Sequence, residues 1–185
     1  MRMRLPKSRT LGKISLIPSG KWARSMILHL FHDRRALADV ATLRVAIEEC
    51  FGAYGLQVRE SGYLYVPLAG QKLNAAKLLK HLARASCRKE ALWLVDRELF
   101  YPEIGQVLGC SARGAALLYG GLEPDVLARE ALHEVGHLLG LEHCPHSCVM
   151  RLSATPTPED AREKPSRLCQ KCSERLARKT GSRRI

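Results

Sequence analysis

The sequence predicts an α/β (α+β) protein in which strands and helices alternate along the chain, followed by a small C-terminal lobe. Two observations lead to this prediction. Short apolar runs alternate with longer segments of helical spacing as far as about residue 140. The rest of the chain shows little regular pattern but holds two pairs of cysteines. A chain of 185 residues suits one domain with a fair core.

Strands are predicted where short apolar runs end at turn residues. They cover residues 14–17, 56–59, 63–68, 92–95, 106–108 and 115–119. Residues 27–31 form either a further short strand or the lead-in to a helix. A turn at Ser61 and Gly62 is expected to separate two of these strands.

Two helices are predicted in the first half of the chain, where apolar residues recur every three or four positions. The first covers residues 33–51, with Asp33 as its cap and Gly52 as its stop. Cys50 falls on its apolar face. The second begins at Asn74, which can cap it, and runs to residue 85.

Two more helices are predicted in the second half. One begins at Pro124, because proline suits the first position of a helix, and ends near residue 139, where Gly140 stops it. The last lies near residues 166–179, after a loop rich in serine, threonine and proline at residues 153–158. A lobe with so little regular structure is expected to depend on bound metal for its fold.

The helix that begins at Pro124 carries the most informative motif, His133-Glu134-x-x-His137-x-x-Gly140-x-x-His143. Histidines four residues apart share one helix face and can bind one metal ion. Gly140 allows a left-handed turn that returns the chain with a third imidazole. Three protein ligands leave one position open, as in catalytic zinc sites. Glu134 is placed to act as the general base towards water.

Two cysteine pairs follow this motif. Cys144 and Cys148 form the first pair, and Cys169 and Cys172 form a C-x-x-C. Two pairs separated by a loop are typical of a closed four-cysteine zinc site, which would be structural. The alternative is two disulfides. We favour zinc, because no secretory segment precedes the motif and a reducing, cytoplasmic location is expected.

These motifs resemble those of the archaemetzincins, zinc peptidases of the metzincin clan. The resemblance implies a metzincin-like zincin fold, with a twisted mixed sheet, a backing helix, an active-site helix and a small zinc-stabilised C-terminal lobe. It also implies two zinc ions, one catalytic and one structural. It implies that His133, His137 and His143 bind the catalytic ion, that Glu134 is the general base, that Met150 forms the Met-turn, and that Cys144, Cys148, Cys169 and Cys172 bind the second ion. It also implies that peptide substrates lie along an upper edge strand, near residues 106–110 or 115–119.

The resemblance extends more loosely over residues 12–173, through the segments GKISLIPSG (12–20), GQKLNAAKLL (70–79) and LWLVDRELFYPEIGQVLGCSA (92–112). It departs from the family pattern at one place. Three residues separate Cys144 from Cys148, one fewer than expected, and eighteen separate Met150 from Cys169, one more than expected. The two shifts cancel, which indicates a rearranged loop. His146 lies inside this loop, and we expect it to be exposed rather than a ligand.

The net charge of +12 is concentrated at the two ends of the chain. It fits either attraction to nucleic acid or acidic peptides, or solvated tails; we favour tails, because no aromatic residues interleave to stack on bases. No apolar run is long enough for a membrane span. The expected organisation is a basic tail (1–11), an upper catalytic subdomain (12–140), a lower subdomain (141–177) and a second tail (178–185), in a monomer.

The function predicted from these features is hydrolysis of peptides or proteins by a zinc-activated water. A zinc-stabilised binding module for nucleic acid or protein, with little or no peptidase activity, is the alternative. A zinc hydrolase that acts on another acyl substrate is a third hypothesis. The sequence motif gives the reaction class and leaves cleavage specificity open.

Overall fold

A computed structural model of the chain describes residues 26–35, 40–87, 89–152 and 157–181. Within these residues the strands are β1 (Met26–His32), β2 (Leu56–Tyr63), β3 (Lys72–Asn74), β4 (Ala91–Val95), β5 (Glu98–Tyr101), β6 (Gly105–Val107), β7 (Gly109–Ala112) and β8 (Ala115–Tyr119). The helices are α1 (Val40–Phe51), α2 (Ala75–Ala85), α3 (Pro124–Leu138), α4 (Pro158–Arg162) and α5 (Gln170–Thr180). The strand predicted at residues 14–17 and the tail at 1–11 lie outside the described residues.

Among the described residues, the main sheet has five strands in the order β2-β1-β4-β8-β7. The first four strands are mutually parallel, and β7 pairs antiparallel with β8. A smaller sheet, β3-β5-β6, lies beside it. The predicted mixed sheet is therefore confirmed, and β7 forms one of its two edges.

The core has two parts, one on each face of the main sheet. Alternate residues of the central strand β4 show this division: Leu92 and Leu94 pack towards α1 and α3, whereas Trp93 and Val95 pack towards α2 and the smaller sheet. All four side chains are fully buried. Such a continuous apolar strand is expected when helices cover both faces of a parallel sheet. Helix α3 is thus held against the sheet along its length.

The turn predicted at Ser61 and Gly62 is wrong. Strand β2 continues through both residues and pairs in parallel with β1 as far as Tyr63. Gly62 has φ +78°, and the register between the two strands shifts at the same point. A bulge therefore absorbs the left-handed residue, and the sequence signal for a turn marks this bulge.

The predicted cap at Asp33 is also wrong. Asp33 directly follows strand β1. Its backbone N–H donates to the Leu94 carbonyl at 2.7 Å, and a turn follows at residues 34 and 35. Asn74 does cap α2, because its side-chain oxygen accepts from the Lys77 N–H at 3.0 Å. Helix α1 ends at Phe51 as predicted, and the chain then makes a single 3-10 turn, Gly52–Tyr54.

The C-terminal lobe packs against the same core as α3. Met150, Cys148 and Leu176 are fully buried in the cluster that also contains the inner residues of α1 and α3. The last helix begins at Gln170, four residues after the predicted start, with Cys169 at its N-cap position. The division into an upper and a lower subdomain remains a prediction. Within the described ranges, no helix combines the length and the apolar character that crossing a bilayer requires.

A buried ion pair joins the lobe to α3. Lys164 Nζ lies 2.7 Å from Glu130 Oε1, and the two side chains are 3% and 7% exposed. Arg129 Nε donates to the backbone carbonyl of Lys164 at 2.8 Å. Consecutive residues of α3 therefore hold both the side chain and the backbone of residue 164. No feature of the sequence predicted this contact.

We expect Lys164→Met to lower the free energy of unfolding by about 3–5 kcal/mol, because it leaves the Glu130 carboxylate buried without its partner. The control is Arg175→Met, which breaks the solvent-exposed pair with Glu142 at 2.9 Å and should change stability far less, because water screens exposed charges. Urea unfolding of both variants measures the difference. Equal losses in the two variants would contradict a buried, stabilising role for Lys164.

Candidate metal centre and active site

Helix α3 contributes two imidazoles and a carboxylate to the wall of one cleft in the protein. Pro124 occupies its first turn, and Asp125 near the same end is stabilised by the positive pole of the helix. His133 and His137 lie one turn apart, with ring centroids separated by 4.6 Å. His133 and Glu134 are each only 5% exposed. The predicted spacing therefore does place both histidines on one face.

The turn after α3 returns the chain towards these rings. Gly140 has φ +78°, and the Leu141 N–H donates to the Gly136 carbonyl at 2.9 Å. This is a left-handed helix end, which glycine adopts without strain. His143 follows, and its Nε2 lies 3.2 Å from Nε2 of His137. The structure thus brings the third predicted histidine to the first two.

Backbone carbonyls orient two of the rings. His133 Nδ1 lies 2.9 Å from the Val149 carbonyl oxygen, and His137 Nδ1 lies 2.9 Å from that of Leu141. A carbonyl can only accept, so each Nδ1 carries the proton and each Nε2 keeps a free lone pair. Those Nε2 atoms are 3.1 Å apart.

The donor set fits zinc. Nitrogens at about 2.0–2.1 Å from a tetrahedral ion lie roughly 3.3–3.4 Å from one another. The observed separations of 3.1 and 3.2 Å are close to this value. Burial, and secondly the Lys164 ammonium, lower the pKa of His133 to about 3, so the ring is neutral as a ligand must be. Burial also lowers the pKa values of His137 and His143.

Glu134 lies in the same cleft, and one oxygen of its carboxylate lacks a hydrogen bond. Its Oε2 atom is buried and has no hydrogen-bond partner among the described residues. Burial raises the pKa of Glu134 to about 8, although the Ser111 hydroxyl and the Lys164 ammonium act in the opposite direction. A cation at the neighbouring imidazoles favours the carboxylate form.

The cleft has a volume of about 580 Å³. One wall is the edge strand β7 with the turn that follows it, and the other is α3 with the returning chain. Its lining residues are Cys110, Ser111, Ala112, Arg113, Gly114, His133, Glu134, His137, Leu138 and His143. The resemblance named two candidate edge strands; residues 115–119 form β8, which is internal, so that alternative is wrong. No sequence pattern predicted that Ser111 or Arg113 would line the cleft.

Met150 lies against α3 at Gly136, a position between His133 and His137 on the helix. It is fully buried, and a methyl group added at Gly136 would collide with its sulfur atom. The backbone also returns here, because the Cys144 N–H donates to the Met150 carbonyl at 2.8 Å. The altered spacing in the Cys144–Cys148 loop therefore still leaves Met150 packed under the helix.

The four predicted cysteines converge. Their sulfur atoms all lie within 4.8 Å of one another, and Cys144 Sγ is 3.7 Å from Cys169 Sγ. Sulfurs bound at about 2.3 Å to a tetrahedral zinc lie roughly 3.8 Å apart, so this set also fits. All four are free thiols, and the Cys169 N–H donates to Cys148 Sγ at 3.2 Å. His146 is exposed, as expected, and is not part of the cluster.

We expect Gly136→Ala to destabilise the protein by about 1–3 kcal/mol, because the new methyl group displaces the packed Met150. Alanine has the higher helix propensity, so a loss would show that the collision dominates. Gly52→Ala is the control, since nothing lies within 4 Å of a methyl group there. Chemical unfolding measures both variants; a more stable Gly136→Ala protein would contradict the close contact.

We expect Cys169→Ser to bind one zinc ion per chain where the unmodified protein binds two, and to melt at a lower temperature. Native mass spectrometry and thermal unfolding give these two quantities. Cys87→Ser is the control, because Cys87 is exposed and lies outside the cluster. Two bound zinc ions and an unchanged melting temperature in Cys169→Ser would rule out the four-cysteine site.

Comparisons with known proteins agree with this geometry. The family described as Peptidase family M54 matches residues 125–178, which contain both ligand clusters. The archaemetzincin of Aeropyrum pernix is 37% identical over 101 residues, which are 49% of this chain and 54% of that protein. The chain therefore spans about half the length of that relative.

Two further matches cover more of the chain. The archaemetzincin of Pyrobaculum aerophilum is 31% identical over 122 residues, which are 62% of this chain and 77% of that protein. The crystal structure of the archaemetzincin from Methanopyrus kandleri superposes with a TM-score of 0.71 at 25% identity, covering 89% of this chain and 98% of that one. The shared fold, the histidine triad and the four cysteines lead to one conclusion: the chain belongs to the archaemetzincins, the family described as Peptidase family M54.

Proposed function

We propose that this cleft hydrolyses peptide bonds in peptide or protein substrates, with zinc held by His133, His137 and His143 and with Glu134 as the general base. The observation that carries the proposal is the position of Glu134. Its buried Oε2 has no partner among the described residues and lies in the same cleft as the three imidazoles. Leaving a buried carboxylate oxygen unpaired is costly, and its place beside three imidazoles supports a chemical role for it.

Zinc at a three-histidine site supplies Lewis acidity, which lowers the pKa of water and polarises a carbonyl group. The protein residues then control the proton. Glu134 Oε2 accepts the proton that the attacking water loses and later delivers it to the nitrogen of the leaving amine. The carbonyl acceptors at Val149 and Leu141 keep the His133 and His137 rings in the orientation that ligation needs.

The substrate is proposed to bind as an added strand along β7. Among the described residues this strand pairs with β8 alone, which leaves its outer edge available to another extended chain. Gly109 allows β7 to approach the catalytic carboxylate, because a methyl group there would lie 3.1 Å from Glu134 Cγ and 2.9 Å from the Leu118 side chain. A bound peptide would therefore pass directly over Glu134.

The second zinc is proposed to be structural. Cys144, Cys148, Cys169 and Cys172 would fill all four positions of a tetrahedral ion, which leaves none for water or substrate. Burial raises the pKa of the Cys172 thiol, so zinc must displace a firmly held proton there. Met150 forms the floor of the histidine site and takes no part in proton transfer.

We expect Glu134→Ala to retain two zinc ions and to lose at least roughly a hundredfold in kcat/KM, since a general base contributes about that much or more. Cleavage of a peptide library, read by mass spectrometry, measures the loss. Glu49→Ala is the control, because this exposed glutamate lies on α1, away from the cleft. Full turnover in metal-loaded Glu134→Ala would contradict the general-base role.

The same experiment separates the alternative, a zinc-stabilised binding module. A binding module would cleave no peptide in the zinc-loaded protein, and its affinity for nucleic acid would fall steeply with salt. The unpaired Glu134 favours the hydrolase, because a silent metal site gains nothing from a buried carboxylate beside it.

A further inference from the structure

The turn between β7 and β8 has an unusual residue at its tip. Arg113 has φ +51° and Gly114 has φ +80°, and Ala112 pairs with Ala115 across the turn. Positive φ at both central residues defines a type I′ turn, in which asparagine followed by glycine is the favoured pair. An arginine in the left-handed region is strained. Its side chain, rather than its turn propensity, accounts for its presence.

That side chain borders the active-site cleft. Arg113 is exposed and lines the cleft together with the three histidines and Glu134. It is the sole lysine or arginine among the described lining residues. Its guanidinium makes no ion pair or hydrogen bond with any residue that the structure describes. It is therefore a free cation at the rim of a cleft whose other wall residues on β7 are small and uncharged.

The nearest acid does not neutralise it. The carboxylate of Glu90 lies under the turn, within 3.4–3.6 Å of a methyl group placed on Gly114. It forms no ion pair with Arg113 within the described part of the chain. Burial raises the pKa of Glu90, so this group opposes an incoming carboxylate less than an exposed acid would.

Strand direction fixes where on the substrate Arg113 would act. Strand β7 runs from Gly109, which lies beside Glu134, towards Arg113. A peptide that pairs antiparallel with β7 runs the opposite way, so its residues near Arg113 precede the bond over Glu134. At about 3.3 Å per residue, Arg113 lies roughly two to four positions from that bond.

We propose that Arg113 is a specificity residue that selects substrates with an aspartate or glutamate roughly two to four positions on the amino side of the cleaved bond. This inference rests on the proposed peptidase function and names its substrate class. An unpaired guanidinium offers a carboxylate two parallel hydrogen bonds as well as charge. The net charge of +12 attracts acidic peptides from a distance without regard to position, whereas Arg113 acts at one subsite.

The test uses peptides that carry one acidic, neutral or basic residue at each position before the cleaved bond. Cleavage by the zinc-loaded enzyme gives kcat/KM, and calorimetric binding to Glu134→Gln protein gives affinity without turnover. Arg113→Asn removes the charge and places asparagine where a type I′ turn favours it. The melting temperature of this variant should therefore stay the same or rise. Arg113→Lys keeps the charge. Arg59→Gln removes the same charge from β2, the opposite edge of the sheet.

We expect unmodified protein to prefer the acidic peptide at one position, and Arg113→Asn to lose roughly threefold for that peptide alone, as a partly exposed ion pair predicts. Arg113→Lys should retain most of the preference, Arg113→Glu should favour the basic peptide, and Arg59→Gln should behave like the unmodified protein.

The remaining outcomes test the specificity role of Arg113 separately from the peptidase function. Cleavage without any acidic preference would overturn the inference and leave the peptidase function standing. A preference that survives Arg113→Asn, or that Arg59→Gln removes equally, would assign it to overall charge and would also overturn the inference. Binding that depends on Arg113 without any cleavage would show that Arg113 recognises acidic peptides, but it would overturn both the peptidase function and the position assigned to the acid. Binding of no peptide class would overturn both.

Discussion

The hydrogen bond between His133 Nδ1 and the Val149 carbonyl is the contact on which the site depends. It sets the tautomer and direction of the most buried imidazole, and its acceptor lies in the C-terminal lobe rather than on α3. Val149 is held in turn, because its N–H donates to the Arg167 carbonyl at 2.9 Å and it follows Cys148 directly. The four-cysteine cluster thus stabilises the backbone that orients the histidine site. Zinc in the lobe would support catalysis without touching substrate.

Buried charge in this protein is arranged in two contrasting ways. Glu130 forms an ion pair with Lys164 and takes no part in the proposed reaction. Glu134 lies one helical turn further along α3 and keeps one oxygen without a hydrogen-bond partner among the described residues. A fold that satisfies one carboxylate so completely could have satisfied its neighbour as well. The difference supports the proposed role of Glu134 as a proton acceptor, because an unpaired buried oxygen costs stability that a paired one does not. The Lys164 ammonium also favours neutral histidines, which is the ligating form.

The sequence predicts those parts of the site that local geometry controls. Four-residue spacing puts His133 and His137 on one face, and Gly140 returns the chain because glycine tolerates a left-handed helix end. Contacts between segments that are far apart in the sequence leave no such local pattern. The ion pair between Glu130 and Lys164 was therefore not predicted. Ser61 and Gly62 resemble a hairpin turn locally, but pairing with β1 converts them into a bulge. The sequence also left two candidates for the edge strand, because the order of strands in a sheet depends on tertiary contacts rather than on local sequence.

We propose that one chain holds two zinc ions of different kinds, one at an open site on imidazoles and one at a closed site on thiolates. A crystal structure with anomalous differences measured on both sides of the zinc absorption edge would locate both ions. We expect one peak among the Nε2 atoms of His133, His137 and His143 and a second among the four cysteine sulfurs. A single peak, disulfides in place of the second, or an imidazole peak with four protein ligands would contradict it.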